Sequence, residues 1–272
     1  MTREKRFARR RGGQRLYYEI GGRADAPPLL LIRGLSRSSS YWLEYRELLE
    51  RERRVLVLDN RGVGRSDSPR GVWTTEAMAD DAAAVLADSG VQRADVFGIS
   101  LGGMIAQQLA LRHPHRVDRL VLACTTPGGR AARRIEPRAL AALARTATMP
   151  FDEAIRFSAP WALSEPFLAR RPEIVDIWVA IAASEPRSRR GQLGQLWAAA
   201  RHDASPHLRH LAHPTLLLTG DADRLVSPTN SERLEAALPR ASMRTLRGAG
   251  HDFPTERPEE TRDLVMEFLT RP

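Results

Sequence analysis

Ser100 stands at the centre of Gly98-Ile99-Ser100-Leu101-Gly102, and that spacing has a physical reason. A side chain held on a sharp strand-to-helix turn needs neighbours without Cβ atoms, because the flanking backbone otherwise collides with it. The chemistry such a turn suits is attack of a hydroxyl on a carbonyl carbon. A serine hydroxyl is a poor nucleophile at neutral pH, so it needs a general base, and that base needs an orienting group. Among seven histidines, His251 has the most suitable setting. It ends the glycine-rich loop Gly248-Ala249-Gly250-His251, between the last predicted strand and the last predicted helix. His113 and His115 flank Pro114 at a predicted helix end, where a surface role accounts for them. His202, His207, His210 and His213 lack a glycine-flanked setting, and their irregular spacing without accompanying acids gives no metal site. For the orienting acid, the loop from Gly220 to Pro228 offers Asp221 and Asp223. Either could serve merely as a turn or capping residue, and spacing alone does not separate them.

These groups must be positioned by a frame, and the frame is legible as alternating strands and helices. Ala94 to Phe97 predicts the strand entering the serine turn, and Leu101 to His113 the helix leaving it; the helix start adds free N–H groups and a positive dipole end beside Ser100. Phe7–Arg11 and Arg15–Ile20 predict a hairpin around Gly12-Gly13. The unbroken apolar runs Leu29–Ile32 and Val55–Leu58 predict strands covered on both faces. Arg119–Cys124, Thr215–Thr219 and Met243–Leu246 predict the remaining strands. Helices are expected over Tyr41–Arg51 and Thr75–Ser89, the latter capped by Thr74 or Thr75 and ended by Gly90. This alternation predicts an α/β fold with a mostly parallel central sheet of about eight strands and helices on both faces. The stretch 125–213 breaks the rhythm. It predicts helices over Arg138–Arg145, Phe151–Phe157, Glu173–Ala183 and Gln192–His202, interrupted by Pro150, Pro160, Pro166, Pro172, Pro186 and Pro206. We read it as a helical insertion over the strand ends, between core segments 1–124 and 214–272.

Composition narrows the function. The 272 residues are 42% hydrophobic, ample for a buried core. No uncharged apolar run is long enough to span a bilayer, and the first residues, Met1 to Arg6, lack the apolar segment of a secretion signal, so a soluble cytoplasmic protein is expected. The single Cys124 excludes an intrachain disulfide and a cysteine-based structural zinc site. The net charge of +9 and pI near 10.8 raise the question of nucleic acid. The positive charge is nearly all arginine, dispersed, and runs such as Arg9-Arg10-Arg11 and Arg133-Arg134 have no interleaved aromatics or recognition-helix pattern. Solvated surface, with no specific nucleic-acid or membrane partner, is the expectation.

On these motifs the chain resembles the α/β-hydrolase fold superfamily, in its capped esterase, enol-lactonase and cofactor-free peroxidase-like branch, over essentially its whole length. The order Ser100, aspartate, His251 is that of the superfamily. The resemblance selects Asp223 over Asp221 and implies an oxyanion hole from the backbone N–H groups of Leu35 and Leu101. It implies that Asp59-x-Arg61-Gly62-x-Gly64-x-Ser66 braces loops near the site. It also implies a serine esterase or lactonase acting on a small-molecule ester or lactone, with the insertion as a cap and no cofactor or metal. A perhydrolase or peroxidase activity on the same triad, or a slow-turnover small-molecule receptor, are the alternatives the family offers; a dehalogenase is disfavoured by serine at the nucleophile position. Arg33 departs from the common pattern, which often has histidine there. It is expected either to salt-bridge a local acid or to face the pocket and attract an anionic substrate group. Arg33, Trp42 and Trp161 are the expected substrate contacts.

Overall fold

Strands without a polar residue cannot present either face to water, and Leu29–Ile32 and Val55–Leu58 accordingly lie inside the sheet of the computed structural model, which describes residues 3–10 and 12–271. Eight strands are described: β1 Glu4–Arg9, β2 Arg15–Gly22, β3 Pro28–Ile32, β4 Arg54–Leu58, β5 Ala94–Ile99, β6 Val117–Ala123, β7 Thr215–Gly220 and β8 Ala241–Leu246. Their spatial order is β1-β2-β4-β3-β5-β6-β7-β8. β2 is antiparallel to β1 and β4, and every other pair is parallel. The helices are α1 Leu43–Glu50, α2 Thr75–Asp88, α3 Leu101–Arg112, α4 Pro137–Thr146, α5 Phe151–Ala162, α6 Glu165–Arg170, α7 Glu173–Ser184, α8 Arg189–Ala200, α9 Thr229–Ala237, α10 Phe253–Glu256 and α11 Pro258–Thr270.

The two-residue period of the strands sorts their side chains into two cores. Leu30, Ile32, Leu56, Leu58, Val96 and Leu120 pack with Met78 and Leu86 of α2 and Ile105 and Leu109 of α3. The alternate residues Leu29, Leu31, Val55, Val57, Phe97 and Val121 pack with Tyr45 and Leu49 of α1 and Val265 and Leu269 of α11. Each such aliphatic side chain contributes roughly 1.5–3 kcal/mol by leaving water. Because β3, β5, β6, β7 and β8 run parallel, the loops after them emerge at one sheet edge. That edge is where open α/β sheets hold ligands.

Between β6 and β7 the chain makes five helices, α4 to α8. A third apolar cluster joins Tyr41 to Ala159, Leu163, Phe167 and Trp178 of this segment. Gln195 in α8 is a polar fastener to the sheet domain. Its Nε2 donates to the Arg61 carbonyl at 2.9 Å, and its Oε1 accepts from Ser36 N–H at 2.8 Å.

Several expected boundaries shift. The first strand runs Glu4–Arg9 instead of Phe7–Arg11, and Arg11 lies outside the described residues. The helix expected over Tyr41–Arg51 begins as a 3-10 turn, Ser39–Trp42, before α1. Pro160 does not interrupt α5 but sits inside its last turn. α6 was not expected: Pro166 and Pro172 read as breaks, yet the first lies in the opening turn of α6 and the second precedes α7, positions that need no amide hydrogen. Thr74 is the cap of α2, its side chain accepting from Ala77 N–H at 3.1 Å. Among the described residues no helix is long and apolar enough to cross a membrane.

Candidate active site

β5 ends at Ile99 and α3 begins at Leu101, so Ser100 alone makes the turn. It adopts φ 58 and ψ −121, a backbone state that costs a residue with a Cβ on the order of 1–3 kcal/mol. Two contacts hold it there: Ser100 N–H donates to Ala123 O at 2.8 Å, and Thr125 Oγ1 donates to Ser100 O at 2.8 Å. The glycines on either side are sterically required. A Cβ on Gly98 would lie 2.3 Å from the Gly102 carbonyl oxygen, and one on Gly102 would lie 2.0 Å from that of Ile32. A Cβ on Gly34 would sit 3.1 Å from Ser100 Cβ, so the loop carrying Leu35 passes directly beside the serine.

The two later loops meet at the same edge. His251 Nδ1 and Asp223 Oδ2 are 2.7 Å apart, and both residues are under one-tenth exposed. Asp223 Oδ1 accepts from the N–H groups of Leu225 and Val226 at 2.8 and 2.9 Å, which fixes the carboxylate plane. Asp221 instead accepts from Gly248 N–H and braces the histidine loop. The neighbouring aspartates, indistinguishable by spacing, therefore have different partners. Burial alone would lower the His251 pKa, but the charge and hydrogen bond of Asp223, with Asp252 adding, raise it above its ordinary value against the opposing charge of Arg33. With Nδ1 committed to Asp223, Nε2 is the ring nitrogen left for the cavity that His251 shares with Ser100.

Arg33 resolves in favour of a salt bridge, though not to a local acid. Its NH1 and NH2 reach Asp252 Oδ1 and Oδ2 at 3.0 and 2.7 Å, a bidentate pair spanning 219 residues of sequence. The guanidinium stacks on Trp42, 4.7 Å from the ring centroid, and only 2% of Arg33 is exposed. Burial would raise the Asp252 pKa, but Arg33 outweighs it and holds the carboxyl below its ordinary range. The pair ties the loop after β3 to the residue following His251, and Asp252 N–H adds a 2.8 Å bond to Ala162 O. Glu256 completes the bracing, accepting from Gly250 N–H at 3.0 Å and Ser164 N–H at 2.8 Å. Removing one member of a buried pair leaves an uncompensated charge. Arg33→Ala is therefore expected to cost about 3–5 kcal/mol of stability, measurable by denaturant unfolding, while Arg33→Met with Asp252→Leu recovers most of it.

Trp42, expected against the substrate, is turned into the core between Tyr45 and Phe97 and is 1% exposed. Trp161 does line the cavity, with Arg224 stacked on its ring. That cavity has a volume of about 1000 Å³. Leu35, Ser100, Leu101 and His251 form its floor, and Leu143, Phe157 and Trp161 of the helical segment its walls. Leu101 is the first residue of α3, so its N–H precedes the helix's own bonding pattern, and the Leu35 N–H lies in the adjoining loop. Asp59 holds the surrounding loops: its carboxylate accepts from Ser39 N–H at 2.7 Å and Arg65 N–H at 2.9 Å. Arg61 pairs with Asp81, the two bonds joining the following loop to α2.

Two residues acquire environments that spacing did not suggest. Cys124 Sγ lies within a group whose Asp223 and His251 ligand atoms are all within 4.8 Å of one another. Burial, with Asp223 adding, pushes its thiol well above the ordinary value, so it remains protonated at neutral pH. His202 is buried at the cavity wall, its Nδ1 3.0 Å from Thr75 Oγ1, and burial pushes its pKa down to about 4.

Comparison with known proteins agrees with this frame. A family model described as alpha/beta hydrolase fold matches residues 27–258. A protein of Escherichia coli O157:H7 provisionally named carbamate hydrolase RutD is 29% identical over 253 residues, covering 90% of this chain and 92% of its own. Among solved structures, a thermophilic esterase from Thermogutta terrifontis is 28% identical with a TM-score of 0.83, covering 99% and 98% of the two chains. The enol-lactonase from Burkholderia xenovorans LB400 is 25% identical with a TM-score of 0.87, covering 98% and 100%.

Proposed function

Because the chain belongs to the alpha/beta hydrolase fold family, we propose that it is a serine hydrolase cleaving a small to medium carboxylic ester or lactone through an acyl-enzyme on Ser100. The observation that carries this reading is the strained serine turn opening into the same cavity as a histidine whose Nδ1 is 2.7 Å from a buried aspartate. In this reading His251 Nε2 takes the Ser100 proton as Oγ attacks the carbonyl carbon. Asp223 holds the imidazole tautomer and stabilises its positive form. The tetrahedral oxyanion is received by the N–H groups of Leu35 and Leu101, an arrangement worth about 3 kcal/mol per donor in comparable sites. His251 then returns the proton to the leaving alcohol, and water, deprotonated by the same nitrogen, releases the acid. The helical segment 125–213 acts as the cap, with Phe157 and Trp161 limiting the length and polarity of the acyl or alcohol group.

The esterase and enol-lactonase among the similar structures support ester or lactone cleavage. The Escherichia coli relative favours a second reading, a carbamate cleaved by the same acyl transfer. A panel of p-nitrophenyl esters from acetate to octanoate, with γ-lactones and an alkyl carbamate beside them, tests both. Turnover on the shorter esters with little on octanoate is expected. Failure on every ester and lactone by the folded protein would remove the esterase reading, leaving the carbamate reading or a receptor role according to whether the carbamate is cleaved.

A further inference from the structure

Asp252 and Glu185, the carboxylates lining the cavity beside Arg37, have partners of their own, and among the described residues Arg37 pairs with none. Asp252 is committed to both arms of Arg33, and Glu185 accepts from Arg65 at 2.7 Å and from Ser40 Oγ. Arg37 lines the cavity with Ser100 and His251, two residues beyond Leu35 in the loop after β3. Its guanidinium sits in the angle between two aromatic rings, 4.4 Å from the centroid of Tyr41 and 4.1 Å from that of Trp178. Among the described residues no carboxylate lies within ion-pairing distance of it. The loop that carries it is fixed, since Ser36 N–H is held by Gln195 and Arg37 N–H donates to Gly34 O at 3.4 Å.

A half-buried guanidinium stacked on rings keeps its in-plane N–H groups for another partner. Aromatic faces supply part of the stabilisation that water would have given, but they accept no hydrogen bond in that plane. Burial lowers the Arg37 pKa, with the like charge of Arg33 adding, against the opposing influence of Tyr41 and Asp252. A planar fork in that state matches a carboxylate.

We propose that Arg37 is the anion subsite of this cavity and that the substrate is an ester or lactone bearing a free carboxylate. The inference rests on the serine-hydrolase reading for its chemistry but not for its binding step. Arg37 binds and orients the substrate carboxylate, so that binding energy remote from the reacting carbon directs that carbon toward Ser100. The contrasting role would be purely structural: Arg37 would fasten α7 to the sheet domain through Trp178 and select nothing.

Two measurements separate these. The first compares p-nitrophenyl hydrogen adipate with p-nitrophenyl hexanoate, two esters of equal acyl length, on the wild type, Arg37→Gln and Arg37→Lys. The ratio of kcat/KM, anionic over neutral, is expected to favour the adipate in the wild type. It should fall at least about tenfold in Arg37→Gln, with partial recovery in Arg37→Lys. An unchanged ratio overturns the proposal, even if both rates or the thermal midpoint fall. The second measures calorimetric binding of monomethyl adipate to Ser100→Ala, expected to weaken at least about tenfold when Arg37→Gln is added. Binding that is absent, or indifferent to Arg37, also overturns it. This readout needs no turnover. Arg37-dependent binding without hydrolysis of either ester by the wild type would sink the hydrolase reading and keep the anion site, whereas hydrolysis at an unchanged ratio would do the reverse.

Discussion

Ser100→Ala is expected to lower ester turnover on the order of 10⁶-fold in kcat, the scale on which serine hydrolases fail when one member of the acting unit is lost. The variant should fold. Alanine faces the same backbone cost at φ 58 as serine, and the bonds that hold the turn come from the Ser100 backbone, to Ala123 O and from Thr125 Oγ1. What disappears is the only oxygen at the turn able to form the acyl bond. An unchanged thermal midpoint beside lost turnover separates loss of the nucleophile from loss of the fold. Retained turnover would mean that another group attacks the carbonyl.

Asp223→Asn has the second largest expected effect, about 10⁴-fold in kcat with little change in fold. The physical reason lies in the partners of Asp223. Its Oδ1 accepts from Leu225 and Val226 N–H, and an asparagine can keep those bonds by placing its carbonyl oxygen there. Its amide group then faces His251 Nδ1, which must become an acceptor, so the proton moves to Nε2. A protonated Nε2 cannot take the Ser100 proton. A second signature accompanies the rate. With His251 as the proposed base, activity needs its neutral form, and its pKa is raised chiefly because the charge and hydrogen bond of Asp223 outweigh burial. In the wild type the acid limb of kcat/KM is therefore expected above the ordinary histidine value of about 6.5, with activity lost as pH falls through it. In Asp223→Asn those raising influences go while burial remains, so the limb should move to lower pH. Asp221→Asn, which disturbs only the bond to Gly248 N–H, should lose far less and leave the limb in place.

The parts of the molecule that could be read from sequence are those whose cause is local. An unbroken run such as Leu29–Ile32 has one compatible environment, a strand covered on both faces, and the alternation of such strands with helices carries the mostly parallel sheet. The glycines around Ser100 were legible for the same reason, since a missing Cβ reports a close approach. Long-range partners were not legible. Nothing near Arg33 in sequence announces Asp252, 219 residues later, and a local acid was the natural expectation. Trp42 has the type expected of a pocket wall, but the 3-10 turn Ser39–Trp42 directs Tyr41 toward the cavity and Trp42 into the core. In the helical segment the prolines misled: Pro166 sits in the opening turn of α6, where its missing amide hydrogen matters little, Pro160 is accommodated inside the last turn of α5 at the loss of one backbone bond, and the six-residue α6 is too short for a periodic pattern. Arg37, a basic residue in a serine-rich loop, carries no local sequence signal of its setting. Only the placement of Tyr41 and Trp178 shows it stacked between rings at the cavity.

The most direct test of the central claim is to locate the covalent adduct. The protein is reacted with a fluorophosphonate ester, digested and mapped by mass spectrometry. One adduct per chain is expected, on the peptide containing Ser100, at a rate that falls steeply in Asp223→Asn. An adduct on another residue, or none on a folded protein, would contradict it.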